Sequence, residues 1–135
     1  MILTFSKPEF VDRIIAGTKI HTIREDLKER WKKDMKIHFW LHNPRNVKQN
    51  PHTFANGKVI SVFDIWILPD NDYVLVMSTG INYKVEFKTQ SALNAFAIND
   101  GFDSWEDMKK WFKTDFRGRI INFKVTEVLP CSPQT

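Results

Sequence analysis

Residues 58–87 read KVISVFDIWILPDNDYVLVMSTGINYKVEF. Three runs rich in β-branched and aromatic side chains, 58–68, 73–78 and 83–87, are separated by the sets Pro69-Asp70-Asn71-Asp72 and Thr79-Gly80-Ile81-Asn82. Val, Ile, Phe, Tyr and Trp fit a pleated, half-buried surface, whereas Pro, Asp, Asn and Gly supply turns. The stretch therefore predicts three consecutive strands in a β meander.

Upstream, residues 2–5 are apolar enough for a short strand. Ser6, Pro8 and Glu9 then give a helix start, with a cap, an early proline and an acidic first turn. The helix is expected to run to Ala16, with Phe10, Ile14 and Ile15 inward, Asp12 and Arg13 in water, and Gly17 as its left-handed end. Residues 19–24 begin in that turn and become extended. The charged stretch 25–36 around Trp31 reads as a solvated helical turn or loop leading to a strand at 35–41. Residues 43–56 read as a polar loop, long enough to serve a function.

Downstream, a second helix is expected over 89–98, with Leu93, Phe96 and Ala97 inward and Asn99-Asp100-Gly101 ending it. Ser104 caps a third, in which Trp105, Met108, Trp111 and Phe112 recur at spacings of three and four. After Gly118 the run RIINFKVTEVL predicts a closing strand. The organisation is one domain over residues 1–130 with a frayed tail at 131–135. Many strands, about three flanking helices and no alternating βαβ pattern give an α+β class, with the sheet expected to curl into a small barrel that removes its edges.

Composition limits the partners. A chain of 135 residues with 42% hydrophobic and 27% charged residues is ordinary for a globular domain, which argues against long disorder or coiled coil. Eleven Phe and five Trp promise a ring-rich core with rings to spare for a pocket. A net charge of +4 permits a polyanionic partner without requiring one. The single Cys131 excludes an internal disulfide, and no Cys/His spacing suits zinc, so neither metal nor other cofactor is expected. With no leader-like N-terminus and no run of about 18 apolar residues, the reading is a cytoplasmic protein that does not enter membranes.

Chemistry concentrates in Gly17-Thr18-Lys19-Ile20-His21-Thr22-Ile23-Arg24. In a regular strand Thr22 and Arg24 share one face and His21 and Ile23 the other. Lys19 joins Thr22 and Arg24 only if it lies in the turn, where alternation does not hold. A lysine desolvated beside Arg24 would have a depressed pKa and could act as a general base, with Thr22 as nucleophile or hydrogen-bond donor. The plainer alternative is an edge strand with solvated charges. A second candidate is Asn99-Asp100-Gly101-Phe102, where Asp100 either points into a cleft or only caps the helix. Weaker features are the pair His38 and His42, the rings Trp31, Trp40 and Trp66, and the basic run Lys28, Arg30, Lys32, Lys33 and Lys36. Each reads more simply as core or as a solvated helix face.

The segment GTKIHTIR resembles the GxKxxTIR signature of ASCH domains, and AINDGFDSWEDMKKWF is similar to their later segment, where an acidic residue, Gly and an aromatic precede a helix. With the opening helix and closing strand, the resemblance spans most of the chain. It implies a PUA-like barrel associated with RNA binding. Some small ASCH proteins are amidohydrolases of N4-acetylcytidine that use a lysine, a threonine and a glutamate. The first two match Lys19 and Thr22, the family's arginine matches Arg24, and the acidic position is Asp100, one methylene shorter. The expected function is binding of RNA or a modified nucleoside in a polar cleft, with Arg24 and His21 as ligand contacts. The alternatives are deacylation of an N-acylated cytidine by Lys19, Thr22 and Asp100, a ribonuclease, and a protein-interaction domain. The 43–56 loop, beyond the minimal family length, is expected to close the cleft or enlarge it.

Overall fold

The computed structural model describes residues 1–78 and 83–130. The turn expected at 79–82 and the tail 131–135, with Cys131, lie outside the described residues. The predicted meander is present as β4 (His52–Leu68), β5 (Tyr73–Met77) and β6 (Lys84–Phe87), paired antiparallel in sequence order. The turn between β4 and β5 is a single tight one at Pro69–Asn71, closed by Asp72 in the left-handed region.

The remaining strands assemble around β4. β7 (Phe116–Val128) runs antiparallel along one edge of β4, from Ala55 to Ile67, and carries β2 (His21–Arg24) on its far side. The other edge of β4 pairs first with β3 (Lys36–Leu41) and then with β5, and β1 (Ile2–Phe5) adds to β3 in parallel. With α1 (Pro8–Ala16), α2 (Gln90–Asn99) and α3 (Trp105–Trp111), the described residues form an α+β fold with one seven-stranded sheet and three helices. None of these helices is long and apolar enough to cross a membrane.

β4 starts at His52, so the polar loop is shorter than expected and ends at Pro51. Backbone groups make a ladder, and polar side chains are tolerated in it provided one face is filled. Phe54 and Ala55 are buried, while Asn56 bridges His38 Nδ1 at 2.9 Å and Glu127 at 2.8 Å. Register shifts at Asn56/Gly57 and Val59/Ser61 break the alternation that would have announced the strand. β7 likewise begins before Gly118, not after it. A Cβ on Gly118 would stand 2.4 Å from the Arg24 carbonyl, so the glycine lets β2 approach. Residues 25–35 form no helix: Asp26, Glu29 and Asp34 all have positive φ, and the Asp26 carboxylate accepts from the amides of Arg30 (2.8 Å) and Trp31 (3.2 Å). The basic run thus lies on turns around a buried Trp31.

The helices depart from their signals at Ser6, Ile15 and Trp111. Lys7, not Ser6, holds the cap position of α1, ahead of Pro8. Ile15 is largely exposed, because nine residues bury only one narrow stripe, that of Phe10 and Ile14. α2 is capped by the Thr89 hydroxyl on Ala92 N (3.2 Å) and α3 by Ser104 on Asp107 N (3.1 Å). Asn94 Oδ1 accepts from Trp105 N at 2.9 Å, tying α2 to α3, and the Trp105 indole donates to Asp72 at 2.7 Å, tying α3 to the β4–β5 turn. Phe5, Phe10, Phe39, Phe54 and Phe123 fill the core between helices and sheet with ring contacts of 5.0–6.5 Å.

Candidate functional site

Gly17, at φ 82°, ends α1 and lets the chain double back, so that the amides of Thr18 and Lys19 both bond to the Arg13 carbonyl at 3.0 Å. Ile20 N then bonds to Asn99 O at 2.9 Å, laying this turn against the end of α2. The Arg13 guanidinium completes the link by donating to the Gly101 carbonyl and to Asp103 Oδ1 at 2.6 Å. Lys19 is thereby carried onto Gly101, where a Cβ would meet Lys19 Cδ at 2.8 Å and Phe10 at 2.9 Å. Gly101 has φ 99°, so it serves both the left-handed backbone and the space the lysine occupies.

The Lys19 side chain is sealed in, with 1% of its surface exposed. Its Nζ donates to His21 O at 2.9 Å and to the Asp100 carbonyl, stands 3.6 Å from Asp100 Oδ1, and lies 4.6 Å from the Phe10 ring centre. Burial lowers its pKa to about 8, helped by the nearby Arg24 and Arg13 charges and opposed by Asp100. Two N–H bonds to carbonyls satisfy a neutral amine and leave its lone pair free, a state suited to a base.

Asp100 is buried at the end of α2 and accepts from His21 Nδ1 at 2.9 Å through Oδ1. Its Oδ2 has no protein partner among the described residues. The Arg24 side chain, from β2, donates to Thr4 O at 2.5 Å and stacks over Phe5 at 5.1 Å. Its Nε is enclosed and lacks a partner. Burial lowers the Arg24 pKa and Asp100 offsets part of that; a guanidinium remains charged regardless. The hydroxyl of Thr22, one strand period from Arg24, has no hydrogen bond among the described residues.

Lys19, Thr22, Arg24 and Asp100 line a single cavity of about 220 Å³, walled by Phe5, Phe10, Phe102, Trp111 and Phe112. That is below the roughly 300–1,000 Å³ of drug-sized sites, so one planar ring with a small substituent fills it. His21 lies outside this cavity. Strand alternation turns it to the opposite face of β2, from where it holds Asp100. The loop preceding β4 contributes no side chain to the cavity. Among the described residues no group of three or more His, Cys, Asp or Glu could hold a metal ion, and His38 is engaged with Asn56.

Reading the sequence missed the apolar half of the site. By spacing Trp111 belongs to the inner stripe of α3, yet it is 51% exposed at the cavity. Lys7 Nζ sits 5.1–5.6 Å from the rings of Trp111, Phe102 and Phe10, which line the cavity. The surplus of rings was the available signal; their placement requires the tertiary contacts. Compared with known proteins, the chain matches no family model, no curated protein and no solved structure.

Proposed function

We propose that the cavity binds a nucleobase, as a modified nucleoside or within RNA, on an ASCH-type, PUA-like barrel. The observation that carries this reading is the meeting of Lys19, Thr22, Arg24 and Asp100, from two distant parts of the chain, in one ring-lined hollow. Rings supply flat apolar walls, Asp100 Oδ2 an acceptor for an exocyclic amine, and Thr22 and Arg24 donors for a carbonyl. The bulged, branched pairing of β4 supports a strongly curved sheet. Titration with cytidine, N4-acetylcytidine and a short single-stranded RNA tests the reading by calorimetry. Saturable binding that is weakened in Thr22→Ala and Arg24→Ala is expected. No binding by any of the three, or equal binding by both variants, overturns it and leaves a protein-interaction domain as the better account.

A second reading, deacylation of an N-acylated cytidine, is favoured by the lowered Lys19 pKa in a cavity that Thr22, with its unbonded hydroxyl, also lines. The Lys19 amine takes a proton from Thr22 or from water. The oxygen so activated attacks the acyl carbon, and the tetrahedral oxyanion collapses with cleavage of the C–N bond. The proton passes through Asp100 to the leaving amine. Where Thr22 is the nucleophile, water then releases the acyl group as the free acid. Release of cytidine and acetate from N4-acetylcytidine by the native protein and not by Lys19→Ala is the expected result. Equal release by both removes the enzyme reading and leaves binding intact; shortening of single-stranded RNA by the same preparation would instead indicate a ribonuclease.

A further inference from the structure

A second cavity, of about 240 Å³, opens on the opposite side of β2, between the sheet and α2. Its walls are apolar: Phe63, Val85, Phe87, Phe96 and Ile120. Three polar side chains interrupt them, His21, Asn99 and Asn122. His21 is 4% exposed and lies 5.0 Å from Phe96 at an interplanar angle of 30°. Its Nδ1 faces the Asp100 carboxylate at 2.9 Å, so a proton is assigned to Nδ1, and in the neutral ring Nε2 is then an acceptor. Among the described residues Nε2 has no hydrogen-bond partner, nor has the side-chain amide of Asn99 or of Asn122.

His21 Nε2 is not among the enclosed atoms that lack a partner, so a donor entering the cavity takes the place of water at a nitrogen that keeps its acceptor capacity. The carboxamides of Asn99, exposed at the rim, and Asn122, half-buried, line the same cavity, and each offers a donor and an acceptor of the kind that pairs with the edge of a heterocycle. Aromatic rings form much of the wall: Phe87 and Phe96 pack on each other at 4.7 Å, tilted by 47°, and Phe63 stacks with Tyr83 at 5.2 Å. The volume admits one ring.

We infer that this cavity is a second ligand site, for a single-ring nitrogen heterocycle of the pyrimidine class, whose ring N–H donates to His21 Nε2 while Asn99 and Asn122 pair with its polar edge. The inference goes beyond the reading of the first cavity and does not depend on it.

The test is a titration of the isotope-labelled full chain with uracil, followed by backbone amide NMR, with 1,3-dimethyluracil as a ring of the same shape lacking N–H donors. Uracil should shift Phe87, Asn99 and Asn122 saturably below about 10 mM. Dimethyluracil should bind at least about fivefold more weakly, and Asn122→Leu should weaken uracil by a similar factor. Ala95→Trp, which fills the cavity from α2, should abolish these shifts. Shifts at Thr22, Arg24 and Trp111 report the first cavity separately, so the two readings fail independently. No saturable change at Phe87, Asn99 and Asn122 in the native protein overturns the inference. So do equal responses to uracil and dimethyluracil that Asn122→Leu leaves unaltered.

Discussion

Raising the pH should stabilise this protein between pH 8 and 10.5, and Lys19 is the reason. Its pKa falls from the ordinary 10.5 to about 8 on folding, so in that window the unfolded chain binds a proton that the folded chain does not. Stability therefore rises with pH across the window, by about 1.4 kcal/mol per pH unit for one group. Below pH 8 the full penalty of about 3 kcal/mol is present, and above 10.5 it is gone. Because the side chain is sealed from solvent, this figure needs no reduction for screening. Urea unfolding at pH 7, 8, 9 and 10, for the native chain and for Lys19→Met, isolates the effect, since tyrosines and surface lysines titrate in both proteins. With a urea slope of about 1–3 kcal/mol/M, the midpoint of the native chain should gain about 1–3 M relative to the variant between pH 7 and 10. A difference that stays flat with pH would mean that Lys19 is charged throughout and that the argument for a neutral amine is wrong.

If the hydrolase reading holds, the same titration governs rate. Only about a tenth of Lys19 is neutral at pH 7, so cytidine release should rise nearly tenfold per unit below pH 8 and level off above it, as an initial-rate profile will show. Gly101→Ala should lower stability by about 2–4 kcal/mol in urea, combining left-handed strain with a Cβ 2.8 Å from Lys19 and 2.9 Å from Phe10. Trp111→Ala should weaken nucleoside or RNA binding by about fivefold or more through lost stacking, measured by calorimetry, because the ring is half exposed at the cavity and not a core support.

Local chemistry in the sequence accounts well for the elements it controls. Gly17 ends α1, the Thr89 and Ser104 hydroxyls cap α2 and α3, and the turn set at 69–72 joins β4 to β5. Alternation also placed Thr22 and Arg24 on one face and His21 on the other, as found. What the sequence conceals is non-local. The first residues of β4 look like a polar loop because their partners, β3 and β7, lie far along the chain and because bulges disrupt their period. Gly118 looks like a boundary and is instead the point where β2 comes close, a fact written only in the contact with the Arg24 carbonyl. Trp111 belongs by spacing to an inner stripe, but a seven-residue helix buries Trp105 and Met108 and leaves its final residues, Lys110 and Trp111, outward.

Arg13 touches both halves of the site. Its carbonyl gathers the amides of Thr18 and Lys19, while its guanidinium grips Gly101 and Asp103. The last turn of α1 and the segment 99–103 should therefore open and close as one cooperative unit, with matched amide exchange protection at Lys19 and Gly101. Unravelling nine residues of helix would then dismantle lysine and acid together, so that no partly assembled pocket persists in which a lone amine meets bound ligand.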